Sequence, residues 1–155
     1  MIERTRVTHL ALAPDYWSVL GHGVAAIALY AIIGLALMVF GFYVLDWTTP
    51  GPLRTLVQAG RPNASAIAAS GLVSLAFIVV LAIYSSSGDL ADGLIRTLVF
   101  GLLGIVAQAI SVRIVELIAG IGIGPLLANE RYSPEVLVVV AAHFGLGLIV
   151  AAAIL

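Results

Sequence analysis

The chain has no cysteine and no lysine. Without cysteine there is no disulfide, no thiol nucleophile and no thiolate metal ligand. Charge of either sign is scarce. Seven arginines face eight acidic residues for a net charge of −1, and charged residues make up 10% of the chain, against about a quarter in soluble domains. No basic tract exists on which a nucleic acid could find an electrostatic footing. The three histidines, His9, His22 and His143, stand in unrelated places, and HExxH, GxSxG and glycine-rich phosphate-loop patterns are all missing. These absences point away from an enzyme, a cofactor and a metal site.

Apolar residues are what the chain has in abundance: 62% of its 155 residues, with a mean hydropathy of +1.17. A water-soluble fold of this size cannot hide so much apolar surface, because about half of any folded surface faces solvent. A bilayer removes that difficulty. Four stretches reach the roughly 20 helical residues needed to cross the hydrocarbon core, so the expected fold is an all-α integral membrane protein with four transmembrane helices. After an N-terminal tail over 1–20, a first helix pair occupies 21–88, with spans at about 21–46 and 63–84. A second pair occupies 89–155, with spans at about 93–117 and 134–155. The first apolar run is expected to act as an uncleaved insertion signal.

Breakers and caps mark the ends. Asp46 and Thr48-Thr49-Pro50-Gly51 close the first span, and Ser85-Ser86-Ser87-Gly88-Asp89 close the second. Asn63 is placed to accept from the free N–H groups that open the second span. Ser133-Pro134-Glu135 reads the same way for the fourth, with proline at the first helical position. Between spans one and two, 52–60 puts Leu53, Leu56 and Val57 on one side and Arg54, Thr55 and Gln58 elsewhere, with Gly60 set to end the turn. This predicts a short helix lying in the membrane interface. Pro125-Leu126-Leu127-Ala128-Asn129 is a cruder counterpart in the second pair.

The pairs align with one another. Tyr30-Ala31-Ile32-Ile33-Gly34-Leu35 matches Phe100-Gly101-Leu102-Leu103-Gly104-Ile105, and the same shift sets Asp46 against Glu116. The fold is therefore expected to be a tandem duplication of a two-helix unit, a parallel pseudo-repeat in which both copies insert the same way up.

Leu45-Asp46, Thr49-Pro50-Gly51-Pro52-Leu53 and Gln58-Ala59-Gly60-Arg61-Pro62-Asn63-Ala64-Ser65-Ala66-Ile67 together resemble the signature of a bacterial membrane family, DUF350, also called the UPF0719 transmembrane proteins. That signature is an acid near a helix end, a Thr-Pro-Gly turn and a Gly-Asn opening of the next helix, in duplicate. Here Arg61-Pro62 separates Gly60 from Asn63. In the second copy no such turn follows Glu116, and Ser133-Pro134-Glu135 replaces the asparagine. The resemblance implies a four-helix protein of the bacterial inner membrane and supplies no activity.

The polar residues in or near the spans are the candidate site. Asp46 and Glu116 are acids at equivalent helix ends, where two carboxylates could line a cation or proton site or pair with arginine. Arg113 lies three residues from Glu116, on one helical face. Gln108 and His143 sit mid-span, where polar side chains bond to neighbouring helices or relay protons. Small residues at helical spacing, namely Ala64, Ala68, Ser70 and Ser74 in one span and Ala141, Gly145, Gly147 and Ala151 in another, form candidate packing or oligomer-facing surfaces. Trp17, Trp47, Tyr43, Tyr84 and Tyr132 flank spans as belt aromatics do. The expected partners are the lipid bilayer and either further copies of the chain or other membrane proteins. The functional expectation is a non-enzymatic oligomeric subunit or scaffold; the alternative is an oligomeric channel or transporter for small cations. Arg54, Arg61, Arg113 and Arg131 lie on one face, against Arg4, Arg6 and Arg96 on the other. The first face is read as cytoplasmic, with both termini outside.

Overall fold

A computed structural model describes residues 15–86 and 89–155. Most of the N-terminal tail, with Arg4, Arg6 and His9, and Ser87-Gly88 of the second closing turn lie outside the described residues. Every regular element among the described residues is helical: α1 Tyr16–Thr48, α2 Leu53–Gln58, α3 Pro62–Tyr84, α4 Leu90–Ala119, α5 Ile123–Ala128 and α6 Val136–Ile154. The helices α1, α3, α4 and α6 are long and apolar enough to cross a membrane. At 1.5 Å per residue the 23 residues of α3 span about 35 Å, enough for a hydrocarbon core about 30 Å thick. The helix α1 has 33 residues and begins at Tyr16 rather than near Gly21, because nothing in Tyr16–His22 breaks a helix.

Side-chain contacts fix how the four run. Gly41 of α1 meets Leu75 of α3 and Ile105 of α4, and Gly101 of α4 meets Leu37. On the other side, Gly71 of α3 meets His143 of α6, and Gly147 meets Ser74. So α1 and α4 run in one direction and α3 and α6 in the other. Half of the most apolar window of α3 is buried, against 6% of that of α1. Thus α3 is the central helix and α1 a peripheral one. Near the short helices the core is Leu45, Leu53, Ile67, Val112, Ile123, Leu127, Val136 and Val139. Towards the other face it is Leu37, Leu75, Val79 and Ile105.

Turn chemistry explains most helix ends. Asp89 caps α4 by accepting from the N–H groups of Ala91 at 2.8 Å and Asp92 at 3.2 Å. Gly60, at φ +73°, takes the left-handed conformation after α2 that residues with a Cβ avoid.

Two expected caps are corrected. Asn63 does not cap α3: Arg61 occupies the N-cap position without a side-chain bond and Pro62 opens the helix, while the Asn63 side chain is buried and points to another loop. Nor does the Ser133 hydroxyl cap α6. It accepts from Asn129 Nδ2 at 3.0 Å, and backbone carbonyls of Ser133, Pro134 and Glu135 open α6 through i to i+3 bonds. Pro134 accordingly stands before the helix rather than at its first position.

Candidate functional site

The candidate polar side chains lie in two places, the face carrying α2 and α5 and one layer inside the bundle. On that face Asp46 and Glu116 each serve the short helix that follows. Asp46 Oδ1 accepts from the backbone N–H of Arg54 at 2.7 Å, in the first turn of α2. Glu116 Oε1 accepts from the backbone N–H of Ile123 at 3.3 Å, the first residue of α5. Helix N-termini leave unpaired N–H groups and carry partial positive charge, so a carboxylate is the fitting acceptor. Glu116 Oε2 also meets the Arg113 guanidinium at 3.3 Å. Asp46 and Glu116 are thus engaged by different short helices, with no ligand shared between them among the described residues.

Asn63 joins the two loops. Its side-chain amide donates to the carbonyls of Leu126 and Arg131, both at 3.0 Å, and its Oδ1 accepts from the Ser133 N–H at 2.9 Å. The residue has no exposed surface; its bond to Leu126 is fully buried, where such bonds matter most, and the other two are part-buried. Beside it Arg61 reaches Glu130 at 2.7 Å, and an added Cβ at Gly124 would sit 3.1 Å from the Pro50 carbonyl. The first loop is therefore locked against the second.

In the interior layer, Ser70 Oγ lies 2.8 Å from His143 Nδ1, and the Ser74 hydroxyl donates to the His143 carbonyl at 2.6 Å. Gly71 borders the imidazole and makes room for Leu45: an added Cβ would lie in ordinary contact with the ring at 3.6 Å but 2.6 Å from Leu45 Cδ1. Gln108 is buried on α4. Apolar side chains close this layer on both sides.

The small residues divide. Ala64, Ala68, Ser70, Ser74, Gly147 and Ala151 are buried between helices. Ala141 is exposed, and an added Cβ on Gly145 would meet nothing within 4 Å. Within the chain the buried stripe of α6 runs instead through Val136, Val139, His143, Gly147 and Ala151, which leaves Ala141 and Gly145 on its outer side. Among the turn residues, Gly51 has φ +122° and Pro50 is half-buried.

Sequence reasoning missed the Asn63 clamp and the Arg61–Glu130 pair, whose partners lie more than 60 residues away with no local signal. It also missed Thr49, whose buried Oγ1 has no partner among the described residues. No three metal-ligating side chains converge among the described residues.

Comparison with known proteins places this geometry in a family. The pattern of the family described as Domain of Unknown Function (DUF350) matches residues 18–154. A UPF0719 transmembrane protein of Mycobacterium bovis is 48% identical over 81 residues, covering 52% of this chain and 53% of the relative. The same figures hold for one from Mycobacterium tuberculosis. Another, from Mycolicibacterium paratuberculosis, is 35% identical over 97 residues, covering 62% of this chain and 64% of its own. The chain thus spans about half the length of the first two curated relatives it matches. No solved structure matches it.

Proposed function

The chain belongs to the DUF350 family of transmembrane proteins, and from that premise we propose that it is a non-enzymatic structural subunit of the bacterial inner membrane, working as a homo-oligomer or as a scaffold for other membrane proteins. One observation carries this reading: both helix-end carboxylates, Asp46 and Glu116, are occupied in holding short helices. A transport site would leave such groups free for a substrate cation. Ser70, Ser74 and His143 join α3 to α6, and the long sides of α1 and α6 offer broad apolar surface.

The same bonds support an internal duplication. Residues 16–84 and 90–154 each run long helix, short helix, long helix, with corresponding long helices in the same direction. In each half an acid near the end of the first long helix accepts from the start of the short one, eight residues on for Asp46 and seven for Glu116. The two short helices lie in the interface, with Leu53, Leu126 and Leu127 turned to the bundle and Arg54 to water. Four arginines on this face (Arg54, Arg61, Arg113 and Arg131) make it the cytoplasmic one and leave the termini outside.

A cation path between copies is the second reading. The observation in its favour is that Asp46 borders an outward-facing groove of about 550 Å³ with Phe40, Tyr43, Trp47 and Thr49. Reconstitution in liposomes separates the two. On the structural reading the protein carries no cation flux, and Asp46→Asn and Glu116→Gln leave that unchanged. A selective flux altered by either substitution would overturn it.

A further inference from the structure

Gln108 Nε2 on α4 and His143 Nε2 on α6 are both buried, and neither has a hydrogen-bond partner among the described residues. An unpaired buried polar group costs about 1–3 kcal/mol, and hydrocarbon offers no bulk water to relieve it. Near the short helices Thr49 Oγ1 and Arg61 Nε also lack a partner among the described residues; the two that lie mid-span call for a common explanation.

They share a layer. Gly41 of α1 touches Leu75 of α3 and Ile105 of α4, which sets one level of the bundle. A turn further along α1 is Leu45, level with Gly71 of α3, and Gly71 in turn borders the His143 imidazole. A turn beyond Ile105 on α4 is Gln108, on the buried stripe that also holds Gly101, Gly104 and Val112. Gln108 and His143 therefore enter the interior at the same depth from adjacent helices.

The neighbouring bonds fit one arrangement of the protons. Ser70 Oγ is 2.9 Å from the Ile67 carbonyl and 2.8 Å from His143 Nδ1. A hydroxyl has one proton and a carbonyl can only accept. With that proton given to Ile67, Ser70 accepts from His143 Nδ1–H. The neutral imidazole then carries a lone pair on Nε2, while the Gln108 amide has N–H groups to give. The two orphans are complementary, one a donor and the other an acceptor, and no direct bond joins them.

We propose that this layer is a binding site for a single water molecule, which accepts from the Gln108 side-chain N–H and donates to His143 Nε2. The water completes a relay from Ile67 and Ser70 on α3 through His143 on α6 to Gln108 on α4. Apolar residues seal it on both sides, Ile67, Val112 and Val139 towards the short helices and Leu37, Leu75 and Val79 towards the other face. It is a structural water rather than part of a passage. The site is internal to one chain and does not depend on the subunit reading above.

Solid-state NMR on the full chain in lipid, with 15N-labelled histidine and His143 assigned in a His9→Asn/His22→Asn background, tests this directly. The expected spectrum has a protonated Nδ1, an unprotonated Nε2 and magnetisation transfer from water to the His143 ring. Gln108→Leu should abolish that transfer, and Ser70→Ala should release the tautomer and populate Nε2–H. A protonated Nε2 in the unmodified ring, a direct Gln108–His143 contact without water transfer, or transfer that survives Gln108→Leu would each overturn the proposal. The spectrum of the chain with its ring environment intact decides the tautomer even where a variant fails to fold.

Discussion

Replacing Asn63 with leucine removes three hydrogen bonds in one step while keeping a side chain of similar reach. The Leu126 and Arg131 carbonyls lose their donor and the Ser133 N–H loses its acceptor. Each such bond contributes about 0.5–1.5 kcal/mol net, so the three together give a loss of about 1.5–4.5 kcal/mol, of which the added apolar contact of leucine offsets a part. The loss should be cooperative, since Asn63 is the joint between the opening of α3 and the loop between α5 and α6. Asn63→Asp is the informative companion. It keeps an oxygen for the Ser133 N–H but turns the other towards two carbonyls, and should destabilise at least as much as leucine. Reversible unfolding in mixed micelles of increasing SDS fraction, followed by circular dichroism, measures both. If Asn63→Leu falls within about 0.5 kcal/mol of the unsubstituted chain, the range of neutral surface changes, the clamp is not a stabilising feature and the reasoning fails.

Three further outcomes follow from the same geometry. An added side chain at Gly147 collides with Ser74, so Gly147→Leu should cost at least about 1–3 kcal/mol; Gly145→Leu, with open space around it, should leave unfolding within about 0.5 kcal/mol. Equal losses for the two would refute the assigned face of α6. Asp46→Ala should weaken α2 by about 0.5–1.5 kcal/mol and speed hydrogen exchange at the Arg54 amide, while Asp46→Asn, which retains an acceptor, should speed it less; identical rates in all three would contradict the Asp46–Arg54 bond. Arg113→Ala should change stability by no more than about 1 kcal/mol, because the Arg113 side chain is 55% exposed; a larger loss by the same SDS titration would mean the pair matters more than its exposure suggests.

What could be read from the sequence followed from the length scale of the bilayer. Runs of about 20 apolar residues leave little alternative to a crossing helix, and α1, α3, α4 and α6 lie where those runs lie. Arg113 and Glu116 could be paired from spacing alone, since three residues on a helix set side chains together. The direction each helix faces was not legible. A helix such as α6, apolar all round, meets lipid on one side and protein on the other with the same chemistry. The small residues at Ala141 and Gly145 therefore look like those at Gly147 and Ala151, although only the latter are buried. Asn63 misled for another reason. Its place after Pro62 reads as a cap, whereas its partners are the carbonyls and N–H of residues 126–133, which no local pattern announces.

The central claim is that the chain acts as a structural subunit within an assembly, and the most direct test is its mass as extracted together with the surrounding lipid. Native mass spectrometry of such particles from the native membrane should show a defined complex, either several copies of the chain or the chain with another membrane protein, and the complex should persist in Asp46→Asn. A monomer under every mild extraction condition would contradict the account.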